Sequence, residues 1–363
     1  EFIFTKVKMV LTIVPTGTDL NKLFEIINNR GVQLQQHEIL KARLLSKLGD
    51  TERESYANLW DACAYMGSYV EKNLKEINKY DIDYIKMRVN YYNKIDRDIN
   101  LSDNVSNLSA LKIKNFHRTY FFDSYEFTRY FNPGLKMNFL FGDITHVPDI
   151  PSIVKSRPIM DDHKNSVLFK LNKVRHFTYT NDSNEFHDKK DILIGRAAVT
   201  KKHKKRTDFY KMYFDHKLCD LGQINNNTDH DHWIKKKISI EVHLKYKFIL
   251  CIEGVDVATN LKWVMSSNSI AIMAKPKIES WFMEKKLIAN YHYILIKDDY
   301  SDLEEKLTYY INNLDECIKI INNANTYVNQ FNDSKREKLI SLLVLEKYFI
   351  KTLQIPKRIN LLY

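Results

Sequence analysis

Apolar and polar positions alternate differently along the three stretches of this chain. Between 19 and 30, apolar side chains recur at Leu20, Leu23, Phe24 and Ile27, the spacing of one helix face, and the run stops at Gly31. Residues 37–48 repeat it through Leu40, Leu44, Leu45 and Leu48, and stop at Gly49. Thr51 with Glu54 has the spacing of a capping box that opens a third helix through Trp60. Residues 1–72 thus read as a short all-helical segment. From about 75 to 187 the pattern is mixed: 119–122 and 138–141 read as short strands, with partners at 152–154 and 166–171. From 188 to 352 strands at 247–252, 269–273 and 291–297 alternate with helical stretches at 258–265 and 278–285. A longer helix opens at Ser301, with Glu304 as its capping partner, and runs towards Phe331. Such alternation predicts an α/β fold with a parallel sheet covered on both faces. Ligands of such sheets sit at the carboxyl ends of the strands, which marks the loop from Glu253 through Gly254 to Asp256 as a phosphate-binding position.

Composition narrows the class. Hydrophobic residues make up 44% and charged residues 28%, with nine Gly and seven Pro, so the chain has the makings of ordinary globular cores. The net charge of +11 favours an anionic partner: nucleic acid, a phosphorylated glycolipid or an anionic membrane face. A Lys-rich proteome explains it equally well. Cys63, Cys219, Cys251 and Cys317 are scattered with no CxxC pair, which argues for reduced thiols in the cytoplasm and against structural zinc. The apolar runs are too short to span a bilayer, so membrane contact is expected to be peripheral. No signal peptide is visible, and a chain beginning at Glu1 reads as a fragment or a processed product. There is no P-loop, GxGxxG, HExxH or GxSxG motif.

Asp143 follows a predicted strand and enters a Pro-ordered loop, where a general base is held rigidly; an Asx-turn is the plainer reading. Lys155 and Arg157, then Arg175 and His176, bring positive charge shortly afterwards, and Arg196 sits at a strand end where its fork suits a diphosphate. The run from Lys201 to Arg206 is the densest charge, and most such runs are solvated loops. Asp229 and Asp231 fit an Asp-x-Asp metal pattern, but so do Asp81/Asp83 and Asp96/Asp98, so no metal site is assigned.

Several segments carry a family resemblance: DYIKMRVNYYNKI at 83–95, NFLFGDITHVPDIPSIVKSRPI at 138–159, KKDILIGRAAV at 189–199, and KYKFILCIEGVDVATNLKWVMSSNSIAIM at 245–273. In order and spacing, residues 80–352 resemble glycosyltransferase family 90, in its bacterial lipopolysaccharide core branch. The resemblance implies a GT-B-like architecture, two Rossmann-like halves with a cleft between them: 75–187 on the acceptor side and 188–352 binding the nucleotide sugar. It implies an inverting, metal-independent transfer from a UDP-sugar to a lipopolysaccharide core acceptor, with Asp143 as base and no cofactor. Arg196, Glu253, Gly254, Asp256, Asn260 and Lys262 fall on donor-binding positions, and Lys155, Arg157, Arg175 and His176 on acceptor or phosphate contacts. Two departures stand out. Ala197 replaces the usual Gly after Arg196, and Ala258 and Asn260 stand where eukaryotic relatives carry Ser and Arg. The candidates to neutralise the pyrophosphate are then Lys262, Arg196 and the helix N-terminus after Asp256. The enzyme is expected at the cytoplasmic face of the inner membrane.

Residues 23–48 and 58–70 resemble the end of the N-terminal domain of GmrSD-type, modification-dependent restriction nucleases. That family's DGQQR signature and HNH-type nuclease domain are absent, so no nuclease activity is expected. A nucleic-acid-binding module of a defence system, or a glycosyltransferase fold without activity, are the alternative readings. A gene fusion, a truncated remnant and an assembly artefact all account for the junction.

Overall fold

The computed structural model describes Gly49 and residues 81–111, 118–226 and 230–356. The chain divides at Lys79/Tyr80, and apart from Gly49 the described residues belong to the second unit. The helices expected in 1–72 lie outside them.

In chain order the helices are α1 (Ile82–Tyr92), α2 (Arg118–Thr128), α3 (Lys173–His176), α4 (Lys204–Tyr213), α5 (Ile240–His243), α6 (Leu261–Met265), α7 (Leu303–Ile311), α8 (Leu314–Asn329) and α9 (Ser334–Lys351). The strands are β1 (Asn138–Leu140), β2 (Ser152–Val154), β3 (Ser156–Pro158), β4 (Ser166–Leu168), β5 (Lys190–Ala197), β6 (Cys219–Gln223), β7 (Tyr246–Leu250), β8 (Ile270–Met273), β9 (Ile278–Ser280) and β10 (Ile294–Leu295). They form a three-stranded parallel sheet, β1-β2-β4, and a five-stranded parallel sheet in the order β10-β8-β7-β5-β6. A two-stranded antiparallel ribbon pairs β3 with β9.

The alternation expected of a doubly covered sheet is present. Phe248 and Leu250 of β7, with Ile270 and Ile272 of β8, point into one core against Phe209, Tyr210 and Tyr213 of α4 and Leu303 and Leu307 of α7. Their neighbours Ile249, Ala271 and Met273 point into the other. That second core also holds Ile153, Val154, Val167 and Leu168 of the smaller sheet and residues of α1, α8 and α9. Mixed α/β architecture with parallel sheets, the coarse expectation, is what the chain adopts.

Two buried charge clusters tie the second core together. Arg157 gives Nε to Glu279 (2.9 Å), and its remaining nitrogens donate to the carbonyls of Tyr91, Tyr92 and Ser166. Arg88 on α1 pairs with Glu337 on α9 at 2.9 Å, and Glu337 also accepts from the Trp281 indole at 2.6 Å.

Three local readings need correction. Residues 119–122 are not a strand but lie in α2, whose buried positions Tyr120, Ser124, Phe127 and Thr128 keep helical spacing despite the aromatic run. Residues 278–285 are not a helix: β9 pairs with β3, and Trp281, Phe282 and Met283 are all buried, so no face is left polar. The helix expected from Ser301 starts at Leu303 and is interrupted, with α7 ending at Ile311 and α8 beginning at Leu314. Asn312 and Asn313 turn their side chains back onto the carbonyls of Thr308 and Tyr309, competing with the helix ladder.

Candidate active site

The order of the larger sheet reverses between β5 and β7, so the loops after these strands part and leave a crevice at their carboxyl ends. The carboxyl ends of the smaller sheet supply the opposing residues. β1 stops at Leu140, and three residues later comes Asp143. Gly142 has φ +116°, a conformation other residues rarely adopt, and this turn delivers Asp143 with its side chain 36% exposed.

Lys155 directly follows β2 and is almost wholly buried. Its ammonium lies 2.6 Å from Oδ1 of Asp143 and 2.7 Å from Oδ2 of Asp256, which also accepts from Ser156 Oγ at 2.9 Å. His176 on α3 brings Nε2 to 3.5 Å from the same ammonium. Burial works against the charge on Lys155, but Asp256 and Asp143 hold its pKa above the ordinary value. Burial pushes the Asp256 carboxyl up, with Lys155 acting against that shift and Asp143 adding to it. His176 is driven down to about 2 by burial, then by Lys262, Lys155 and Arg175, so it is a neutral imidazole.

The loop after β7 is pinned at both ends. Glu253 accepts from the backbone N–H groups of Lys277 (2.8 Å) and Ile278 (3.0 Å) and pairs with Lys205. Asn260 donates to the Leu250 carbonyl at 2.9 Å. At Gly254 an added Cβ would stand 2.8 Å from Nη2 of Arg206, so glycine here admits a guanidinium against the backbone. Arg206 itself donates to the Ala198 carbonyl at 2.9 Å. Burial lowers its pKa, Arg175 lowers it further, and Tyr210, Asp256 and Asp143 oppose. Beside this loop a cavity of about 160 Å³ is lined by Ile252, Val257, Ala258, Lys275, Pro276 and Tyr300.

The other cations read from the sequence are engaged elsewhere. Arg196 donates to the Asp220 carboxylate (2.9 Å) and to the Asp220 and Gly195 carbonyls. Lys262 is buried on Glu284 at 2.6 Å. Arg157 belongs to the cluster with Glu279 described above. Arg175 is exposed. The structure therefore brings Asp143, Lys155, His176 and Asp256 together, with Gly254 beside Arg206, and holds Arg196, Arg157 and Lys262 in other ion pairs. Ala197 lies in β5 without a positive φ, so its side chain strains nothing.

Arg206 was read from the sequence only as the end of a Lys-rich run, not as a neighbour of Gly254. The signal was there: Arg206, Phe209, Tyr210 and Tyr213 repeat at helical spacing, and the last three are buried. Of the Asp/His stretch, Asp229 lies outside the described residues, while His230 stacks on Trp233 with centroids 4.0 Å apart. Among the described residues no group of three or more His, Cys, Asp or Glu is placed to hold a metal, and no helix is long and apolar enough to cross a membrane.

The strand ends of the two parallel sheets thus meet at Asp143, Lys155 and Asp256. The sequence profile of glycosyl transferase family 90 matches residues 163–349. The O-glucosyltransferase LpsA of Dichelobacter nodosus is 37% identical over 269 residues, which cover 73% of this chain and 82% of that protein. The chain is a glycosyltransferase and belongs to glycosyl transferase family 90.

Proposed function

We propose that the enzyme transfers a hexose, with glucose the first candidate, from a UDP-sugar to a hydroxyl of a lipopolysaccharide core acceptor, with inversion and without a metal. The name of the Dichelobacter nodosus relative supports the choice of glucose. In this reading the two parallel sheets are the Rossmann-like halves of a GT-B-like enzyme. The uracil occupies the cavity beside Val257 and Ala258, and the diphosphate lies against Arg206, the Gly254 backbone and the first turn of α4. Asp143 takes the proton of the acceptor hydroxyl as that oxygen bonds to the anomeric carbon. The bond from that carbon to UDP breaks in the same step, and the leaving negative charge is stabilised by Arg206. The exposed basic residues Lys201 and Lys202 and Arg175 face solvent, where they suit a phosphorylated acceptor or the anionic cytoplasmic leaflet of the inner membrane.

The single observation that carries this reading is the placement of Asp143. It is a part-exposed carboxylate at the strand ends of one sheet, joined through Lys155 to the loop that follows β7 of the other. The experiment is Asp143→Asn assayed for transfer of radiolabelled sugar alongside calorimetric titration with UDP. Transfer is expected to fall by about 100-fold or more, the usual weight of a general base, with UDP affinity retained. Transfer near the parent rate would remove Asp143 from the mechanism.

A further inference from the structure

We propose that Lys155 is a positioning residue for sugar transfer, one that orients the base and ties its location to the donor loop. The inference rests on Asp143 being that base.

With its side chain 1% exposed, Lys155 has no surface to offer a substrate, so the phosphate or acceptor contact expected of it from sequence is closed off. An ammonium buried without compensation is strongly disfavoured, and here two carboxylates compensate it. The two are not equivalent. Asp256 is enclosed, its side chain 6% exposed, and takes a second hydrogen bond from Ser156, so it is the permanent counterion. Asp143 meets Lys155 through Oδ1, while its Oδ2 takes no hydrogen bond among the described residues. Fixing one oxygen restrains the plane of the carboxylate, and the part-exposed side chain keeps its other oxygen free to accept. Without Lys155 the terminal torsion of Asp143 is free to rotate, because such sp³–sp² torsions are broad.

Asp256 also lies within the loop pinned by Glu253 and Asn260. Lys155 therefore spans from the end of β2 to the donor loop, and Asp143 is located relative to the donor rather than to its own sheet alone. A displacement of about 1 Å at a reacting group can cost on the order of 100-fold in rate, which sets the scale of the effect.

The test compares Lys155→Met, Lys155→Arg and Asp256→Asn with Asp143→Asn, each checked for folding by circular dichroism and thermal melting. Lys155→Met is expected to lower kcat by about 100-fold while donor KM stays within about threefold, the signature of an interaction felt at the chemical step. Lys155→Arg, which keeps the charge, is expected to recover part of that loss. Combined with Asp143→Asn, Lys155→Met should remove nothing further, because it acts through a group already disabled. Should Lys155→Met fail to fold, Asp256→Asn carries the test, with kcat falling by at least about tenfold at unchanged donor KM. A Lys155→Met enzyme that folds and turns over within threefold of the parent (or that loses only donor affinity) overturns the proposal, as does an unaffected kcat in Asp256→Asn. Activity in Asp143→Asn instead strikes at the base assignment itself, so the two failures are distinguishable.

Discussion

Two charge clusters in this enzyme are built from the same ingredients and differ in completeness. Around Arg157, every member is enclosed: Glu279, the carbonyls of Tyr91, Tyr92 and Ser166, and the Tyr91 hydroxyl, which donates to Glu279. Around Lys155, Asp256, Ser156 and His176 are enclosed, while the side chain of Asp143 is part-exposed. Closure of the first serves cohesion, since it links β3, β9 and the end of α1. The open member of the second is what makes chemistry available. What separates the two is the part-exposed carboxylate of Asp143.

The largest effect that can break this contrast lies in the closed cluster. Arg157→Met should destabilise the fold by about 3–5 kcal/mol in urea unfolding, because Glu279 is left as a buried charge without its partner. Donor KM per folded molecule should not change, and a selective rise in that KM would place Arg157 in the site after all.

Next comes acidity, because each cluster contains one buried imidazole. His163 lies 4.0 Å from Glu279 and is lowered to about 4 by burial and then by Arg157. His176 is lowered to about 2. Unfolded histidines bind protons near their ordinary value while these two do not. The stability these two groups contribute is therefore full above pH ~6.5 and is lost as pH falls through the window down to about 4 for His163, and further for His176. For His163 alone the loss amounts to roughly 2–3 kcal/mol by the bottom of its window. His163→Phe should flatten urea stability between about pH 6.5 and 4.5 by that amount, and an unaltered slope would mean that another group sets the acid limit.

The smallest effect sharpens the contrast on the open side. Arg206→Ala should raise donor KM by about tenfold or somewhat more, the worth of a charge-assisted hydrogen bond, with little change in melting temperature. Loss of stability without loss of donor affinity would make Arg206 another closed-cluster cation.

Much of the fold was legible where periodicity was clear. The strands near 138, 152, 166, 247 and 270 and the covering of the larger sheet follow from alternation within single segments. The aromatic run at 119–122 misled because β-propensity describes a surface and helical spacing only emerges when Ser124, Phe127 and Thr128 are counted in. Of the site, Asp143 was marked by its loop and given a role by family resemblance. Its partnership with Lys155 was not foreseen, and that between Ser156 and Asp256, which spans 100 residues, has no local signature. Arg196 and Lys262 looked free because nothing in the sequence announces Asp220 or Glu284 as their partners.

The packing of α9 against α1 has a consequence for biosynthesis. Arg88 and Glu337 meet across 249 residues, and Val89 and Tyr92 share a core with Val344 and Tyr348. A ribosome releases α1 long before α9, so the first helix of the catalytic unit waits, with its apolar face unmatched, until the residues between them have been made. The smaller sheet is completed only once α9 has emerged, because Tyr348 closes over Pro151 and Asn138. Nascent chains arrested before about residue 334 are thus expected to be the form that chaperones hold and proteases remove, whatever the quality of the sheet already made.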